Sequence, residues 1–369
     1  MHLIPSLGVG GTEKIVLELC RRLDKDQFFN HVVALKGGGP TQVELEKLGI
    51  KVTLLNWSNQ FFPALFDFPR VYTGLKRQMH VYAPDIVHTW LTRANVPGRL
   101  AARSLGITAV ISSLRVMEVE KKYHLWAESL TRRWCRLYTV NCSVLKDFAQ
   151  SEIGLNSERV LYIPNGIEPQ TMQANADQVE SIRRQWSHEG EILIGALGRL
   201  HPQKGMDLFI KAAAQVLRQA PQCRFLIGGE GGQKESLKIL AQSLGMNHKI
   251  GFCGLVRHSM DWIAALDIFA LFSRWEGMPN AVMEAMLLKK PVVASLVGGN
   301  PDLIRQGIEG QLITSGDVPA FAQALLKYVR EPNLAQTHGL SAYDRITKEF
   351  SMDRMVQSYQ ELYLKYGQN

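Results

Sequence analysis

Short apolar runs alternate with amphipathic stretches of helical period along the chain, and the whole series is run through twice. In the first half the runs are HLIP (2–5), HVVAL (31–35), KVTLL (51–55), DIVH (85–88), TAVISS (108–113) and VLYI (160–163). Helical patterns such as TEKIVLELCRRL (12–23) and RANVPGRLAARSL (93–105) lie between them. The series restarts at EILIGALG (191–198). It continues through CRFLIGG (223–229), HKIGFCG (248–254), DIFALFS (267–273), PVVAS (291–295) and GQLITS (310–315). Strand–helix–strand repetition of this length predicts parallel sheets covered by helices on both faces, that is, an α/β chain with two doubly wound, Rossmann-like domains. The turn-rich IPNGIEP (163–169) marks the seam. The expected parts are a first domain at 1–164, a second at 165–350, and an amphipathic last helix at 351–369 packing back on the first domain.

Composition narrows the class. With 369 residues and 46% hydrophobic content there is ample material for two cores. No window approaches the ~20 uninterrupted apolar residues of a membrane-spanning helix; WIAALDIFALF (262–272) comes nearest, and it carries Asp267. The five cysteines are scattered without a CxxC pair, which argues against a disulfide framework or a structural zinc. The first residues lack the basic and apolar regions of a signal peptide, so a cytoplasmic protein is expected. The net charge of +8 is unevenly spread. Residues 1–165 hold 21 Lys and Arg against 14 Asp and Glu, whereas the rest hold 21 against 20. A basic first half favours an anionic partner there.

Three segments carry chemistry. PSLGVGGTEK (5–14) follows the first strand, and Gly8, Gly10 and Gly11 permit a tight turn into a helix whose amides can meet an anion. A nicotinamide dinucleotide would need a carboxylate at the end of the second strand; ALKGGG (34–39) has Lys36 and none. GRLHPQKGMD (198–207) sets Arg199 and Lys204 at a strand's C-terminal end, where two cations can clamp a diphosphate. SRWEGMPNAVMEAM (273–286) places Glu276 in a loop, Asn280 as the expected cap of the next helix, and Glu284 one turn inside it. Two carboxylates so spaced suit hydrogen bonds to sugar hydroxyls, and the backbone from Met278 through Pro279 and Asn280 to Ala281 could face a phosphate, with N–H groups at all but the proline.

With IPNGI, LIGGEGG (226–232), FCGLV (252–256) and PVVASLVGGNPDLI (291–304), these segments resemble the retaining GT-B glycosyltransferases of the family-4 type over essentially the whole chain. The resemblance implies a cleft between the domains and a nucleotide-diphosphate sugar as donor substrate, with no separate cofactor. Arg199 and Lys204 would neutralise the departing diphosphate, Glu276 would hold the transferred sugar, and Glu284 the ribose. Gly10 and Gly11 would approach the diphosphate from the first domain, and Val256 would contact the base. Acceptors of such enzymes include glycans and lipid-linked sugars of cell-surface polysaccharide synthesis. A sugar-nucleotide epimerase or phosphorylase on the same scaffold, or a non-catalytic sugar or nucleic-acid binder, are the competing readings; nucleic acid is disfavoured because no RNA-module signature is present.

Two departures stand out. The family's Gly-x-Gly-Pro turn reads Gly229-Glu230-Gly231-Gly232. Many relatives also carry a His after the fifth strand, where this chain reads ISSLRV (111–116); Arg115, Ser113 or His88 are the candidates for its place. No metal is expected. Asp24-Lys25-Asp26 imitates an Asp-x-Asp motif but follows a helix and reads as its solvated terminus. Finally, EKKYHLWAESLTRRWCRLY (120–138) mixes Lys121, Lys122, Arg132, Arg133 and Arg136 with Tyr123, Trp126 and Trp134. It reads as a basic helix suited to anionic lipid, with FFPALFDFP (61–69) as a second apolar loop, and hence as a peripheral contact with the cytoplasmic membrane face.

Overall fold

The computed structural model describes residues 1–8, 10–58, 61–120 and 122–367, with only the backbone at 61–66. The described residues form thirteen strands: β1 His2–Ile4, β2 His31–Ala34, β3 Lys51–Leu54, β4 Val87–Trp90, β5 Val110–Leu114, β6 Leu137–Val140, β7 Val160–Tyr162, β8 Ile192–Leu197, β9 Cys223–Gly228, β10 Ile250–Gly254, β11 Ile268–Leu271, β12 Val292–Ser295 and β13 Gly310–Ile313. They build two fully parallel sheets, ordered β3-β2-β1-β4-β5-β6-β7 and β10-β9-β8-β11-β12-β13. In each the order reverses once, between β1 and β4 and between β8 and β11. Beyond such a reversal the crossovers leave the sheet in opposite directions, which opens a crevice at the strands' C-terminal ends.

Contacts divide the chain into Met1–Gly166 with Asp353–Asn369, and Ile167–Met352. In the first unit the sheet buries Leu3, Val33, Val87 and Val110 against the helix Thr92–Ser104 and the longer Phe61–Tyr82. The second unit has apolar layers on both sheet faces, one around Phe209, Phe225 and Phe272, the other around Phe269, Met283 and Trp262. The strands are near-continuous Val, Ile, Leu and Phe because both faces are covered. The last helix, Met352–Gly367, lays Tyr359, Leu362 and Tyr363 into the first unit's interior.

Several segments differ from the sequence-based expectation. The stretch 120–138 is not one helix: it is helical at Lys122–Thr131, turns through Arg132–Trp134, and becomes β6 at Leu137. The stretch 61–69 is not a loop but the start of the helix Phe61–Tyr82, in which Pro69 is internal. The fourth strand runs two residues later than DIVH, because Thr89 and Trp90 continue the ladder against Ser112 and Ser113. Among the described residues no helix is long and apolar enough to cross a membrane.

Candidate active site

In the second unit, the loops that leave β8 and β11 meet where the strand order reverses. After β8 the chain runs Gly198-Arg199-Leu200-His201, makes a short turn at Pro202–Lys204, and enters the helix Met206–Leu217 through Gly205 at φ +60°. A Cβ at Gly205 would lie 2.0 Å from the carbonyl oxygen of Phe272, so the helix start presses on the end of β11 as only glycine allows. The turn after β9 is equally close: a Cβ at Gly229 would meet the Gly198 oxygen at 1.9 Å, and one at Gly231 the Leu200 oxygen at 2.4 Å. The Gly-Glu-Gly-Gly sequence keeps this approach without the family's proline.

This packing brings Lys204 onto Glu276. Lys204 Nζ donates to Glu276 Oε1 at 2.5 Å, and Ser273 Oγ donates to the same oxygen at 2.6 Å. Glu276 is 4% exposed and Ser273 fully buried. Arg199 Nη2 donates to Gln203 Oε1 at 3.1 Å, while Gln203 Nε2 donates to the Trp275 carbonyl at 3.1 Å. Gln203 thus couples the two loops. A two-pronged pair from Arg274 to Asp207, at 2.9 and 2.7 Å, fastens them further. Burial alone would push the Asp207 carboxyl up, but the hydrogen bonds and charge of Arg274 outweigh it and hold the carboxyl below its ordinary value.

The helix Asn280–Leu287 follows, with Pro279 at its cap position and no side-chain cap. Asn280 is therefore its first residue and not the expected cap. Met278 and Glu284 are buried, Glu284 at 6% exposure. Gly298, after β12, sits at φ +56°, where a Cβ would meet the Glu276 carbonyl at 2.6 Å. Val256, beyond β10, packs towards Gly228 and Trp262. The structure thus gathers Arg199, Lys204 and Glu276 on the loops after β8 and β11, with Asn280, Ala281 and Glu284 on the helix that follows. Sequence reasoning missed Ser273, Gln203, Arg274 and Gly298. The Ser-Arg pair one residue beyond the strand β11 and the glycine pair Gly298-Gly299 were the available signals.

In the first unit the turn after β1 leads through Gly10 into the helix Gly11–Arg22. Thr41 backs this turn, its hydroxyl donating to the Gly8 carbonyl at 2.7 Å. The residues proposed in place of the family's histidine lie elsewhere. His88 is in the second position of β4, 1% exposed, with Nδ1 at 2.6 Å from the Tyr363 hydroxyl and Nε2 at 2.8 Å from Ser113 Oγ. Its ring stacks on Trp90, and burial, then the nearby positive charge, pushes its pKa well down. It is an interior hydrogen-bonder and presents neither nitrogen to a ligand. Arg115, just after β5, is buried too: it donates to Asn165 Oδ1 and lies over the Trp90 ring. It holds the IPNGI segment. Ser113 is committed to His88 and Thr139. Asp24 accepts from the Asp26 amide and the Gln27 side chain, which closes the turn expected of a helix terminus. Among the described residues no cluster of three His, Cys, Asp or Glu could hold a metal.

Comparison with known proteins bears on the family and the fold. The family model "Glycosyl transferases group 1" matches residues 191–331, and "Glycosyltransferase Family 4" matches 9–171. The chain is 24% identical to the Escherichia coli UDP-Gal:alpha-D-GlcNAc-diphosphoundecaprenol alpha-1,3-galactosyltransferase, over 99% of this chain and 95% of that protein. It is 30% identical to the lipopolysaccharide core biosynthesis mannosyltransferase LpcC of Rhizobium leguminosarum bv. viciae, over 47% of this chain and 51% of that protein. The crystal structure of Anabaena Alr3699/HepE in complex with UDP and glucose superimposes with a TM-score of 0.87 at 22% identity, over 99% of this chain and 100% of that one. The fold is GT-B.

Proposed function

The chain belongs to the family-4-type GT-B glycosyltransferases, and from that premise we propose that it transfers a sugar from a uridine-diphosphate donor, with retention and without a metal ion, to a lipid-linked or growing polysaccharide acceptor. The observation that carries the reading is the meeting of Lys204, Arg199 and Glu276 at the strand-order reversal of the second unit. Two cations on the loop that leaves β8 suit a diphosphate leaving group, whose growing charge is the main thing such a site must stabilise. Glu276, fixed by Lys204 and Ser273, accepts from hydroxyls of the transferred sugar. Glu284 accepts from the ribose, the backbone from Met278 through Ala281 flanks the diphosphate, and Val256 borders the base.

A uridine donor is supported by the UDP-galactose in the name of the E. coli relative and by the UDP complex of HepE. A lipid-linked acceptor is supported by the diphosphoundecaprenol in the same name and by the basic first half of this chain. Retention follows from the family pattern. The donor phosphate then takes the acceptor's proton on the face from which it departs, which needs no protein base, in keeping with the interior placement of His88. The enzyme would act at the cytoplasmic membrane face.

The test is a thermal-shift screen of nucleotide sugars. A ligand at a hundred times its Kd stabilises the folded state by about 2.7 kcal/mol. UDP-sugars should raise the melting temperature, and Glu284→Ala should abolish the rise. If no nucleotide sugar does so, the reading fails.

A further inference from the structure

Outside the site, the strongest unassigned feature is one face of the first unit. The helix Lys122–Thr131 turns Tyr123, Trp126 and Leu130 outward at 56%, 69% and 52% exposure. Spaced by three and four residues, they form a single apolar stripe. The opposite side of this helix is anchored: Glu128, fully buried, accepts from Arg99 at 2.8 Å. The stripe therefore points outward because the other face is fixed.

At the foot of the stripe, beside the N-terminal ends of β5 and β6, lies a cavity of 250 Å³. Arg103, Arg133 and Arg136 line it with Trp134 and Thr108, and no lining residue is acidic. The Arg133 guanidinium rests over Trp134 at 5.1 Å, and that of Arg136 over Tyr366 at 5.6 Å. Aromatic faces position these cations, and among the described residues no carboxylate pairs with any of the three. Three arginines line the hollow with no acidic residue among its lining, so it attracts anions such as phosphate. The expected surface set changes accordingly. Arg132 turns inward onto the Ile153 carbonyl at 2.7 Å, Lys121 lies outside the described residues, and Arg103 joins from a neighbouring helix.

We propose that this face docks on an anionic phospholipid bilayer, with Tyr123, Trp126 and Leu130 entering the headgroup boundary and the Arg103–Arg133–Arg136 hollow gripping one lipid phosphate. The proposal rests on the reading of the acceptor as membrane-held. Charge complementarity selects the occupant: apolar and interfacial aromatic side chains beside unpaired cations match an anionic lipid surface, where each such cation contributes about 1 kcal/mol. The hollow lies at the N-terminal end of its sheet, so lipid bound there leaves the C-terminal strand ends of that sheet unobstructed.

The test is sedimentation of the full chain with vesicles of phosphatidylcholine alone and of phosphatidylcholine with phosphatidylglycerol. The wild type should sediment only with the anionic vesicles. The triple variant R103Q/R133Q/R136Q should lose roughly a hundredfold in vesicle affinity. W126S/L130S should also bind less, while keeping the steep salt dependence that the triple variant loses. Both variants change exposed side chains, and unchanged melting temperatures verify their folding. Wild-type binding by the triple variant, equal sedimentation with neutral vesicles, sedimentation with neither, or binding to a soluble acidic polysaccharide in place of vesicles would overturn the proposal. UDP-sugar thermal shifts on the same variants separate the two readings. Shifts that persist without vesicle binding sink the docking face alone, and vesicle binding without any shift sinks the donor assignment alone.

Discussion

Replacing Glu276 by glutamine should change donor-phosphate binding and turnover in opposite directions. In the structure one oxygen of Glu276 accepts from both Lys204 Nζ and Ser273 Oγ. Glutamine has the same shape and can still accept both bonds, so the loops stay in place and only a charge is lost. Lys204, whose side chain is 17% exposed, is then no longer neutralised before the diphosphate arrives. At 4 Å, two unit charges near a protein surface interact by about 4 kcal/mol before desolvation. If a quarter to a half of that survives, removing the carboxylate favours UDP by about 1–2 kcal/mol, roughly a tenfold tighter Kd. Turnover moves the other way, because the charge-assisted bond to the transferred sugar is lost. At about 1.5–3 kcal/mol, that is roughly ten- to a hundredfold in kcat. Stability should also fall, since a mostly buried ammonium loses its partner. Calorimetric titration with UDP, steady-state kinetics with the UDP-sugar, and a melting curve read the three effects separately. Lys204→Met is the control and should weaken UDP binding without tightening anything. Weaker UDP binding by E276Q, or wild-type turnover in it, would refute the view that Lys204 is held by Glu276 and shared with the donor.

The same site predicts that turnover survives excess EDTA, because Arg199 and Lys204 supply the positive charge at the diphosphate; loss restored by magnesium or manganese would overturn this. Gly205→Ala should destabilise the second unit by roughly 2–5 kcal/mol, from its left-handed backbone and the collision with the Phe272 carbonyl; a melting temperature equal to wild type would contradict that packing. The first unit should be acid-labile, since burial lowers the pKa of His2 to about 3 and of His31 to about 4 and holds His88 well below 6.5. These residues stay neutral when folded and take protons when unfolded, so stability is full above about pH 6.5. It then drops by up to ~4 kcal/mol per pH unit below that; urea midpoints that stay flat between pH 7 and pH 5 would disprove it.

The parallel strands of the second half were legible because each is a compact apolar run closed by glycine, proline or a polar turn. Where that punctuation fails, the reading fails. Leu137–Val140 follows SLTRRWCR without a glycine or proline, so the apolar rhythm of the helix runs unbroken into what is a buried strand between β5 and β7. The reverse error occurred at 61–69, where two prolines suggested a loop. Pro63 sits in the first turn of the helix, where its missing N–H costs nothing, and only Pro69 is internal.

The site was legible as residue types but not as pairs. The spacing of Glu276 and Glu284 belongs to one loop and one helix turn, so it is written locally. The partnership of Lys204 with Glu276 spans 72 residues and exists only because β8 and β11 are neighbours while β9 and β10 lie on the other side. That adjacency is a property of strand order, which no local pattern encodes. The same argument explains the misplaced histidine. His88 belongs to β4, the partner of β1 across the reversal in the first sheet, and in the sequence it is a lone histidine near a strand end. Position along the strand decides against it: a residue two short of the strand's end points into the layer between sheet and helices, where Tyr363 from the last helix meets it. A side chain beyond the last ladder residue, as Lys204 and Glu276 are, can face a ligand; one within the ladder is taken up by the core.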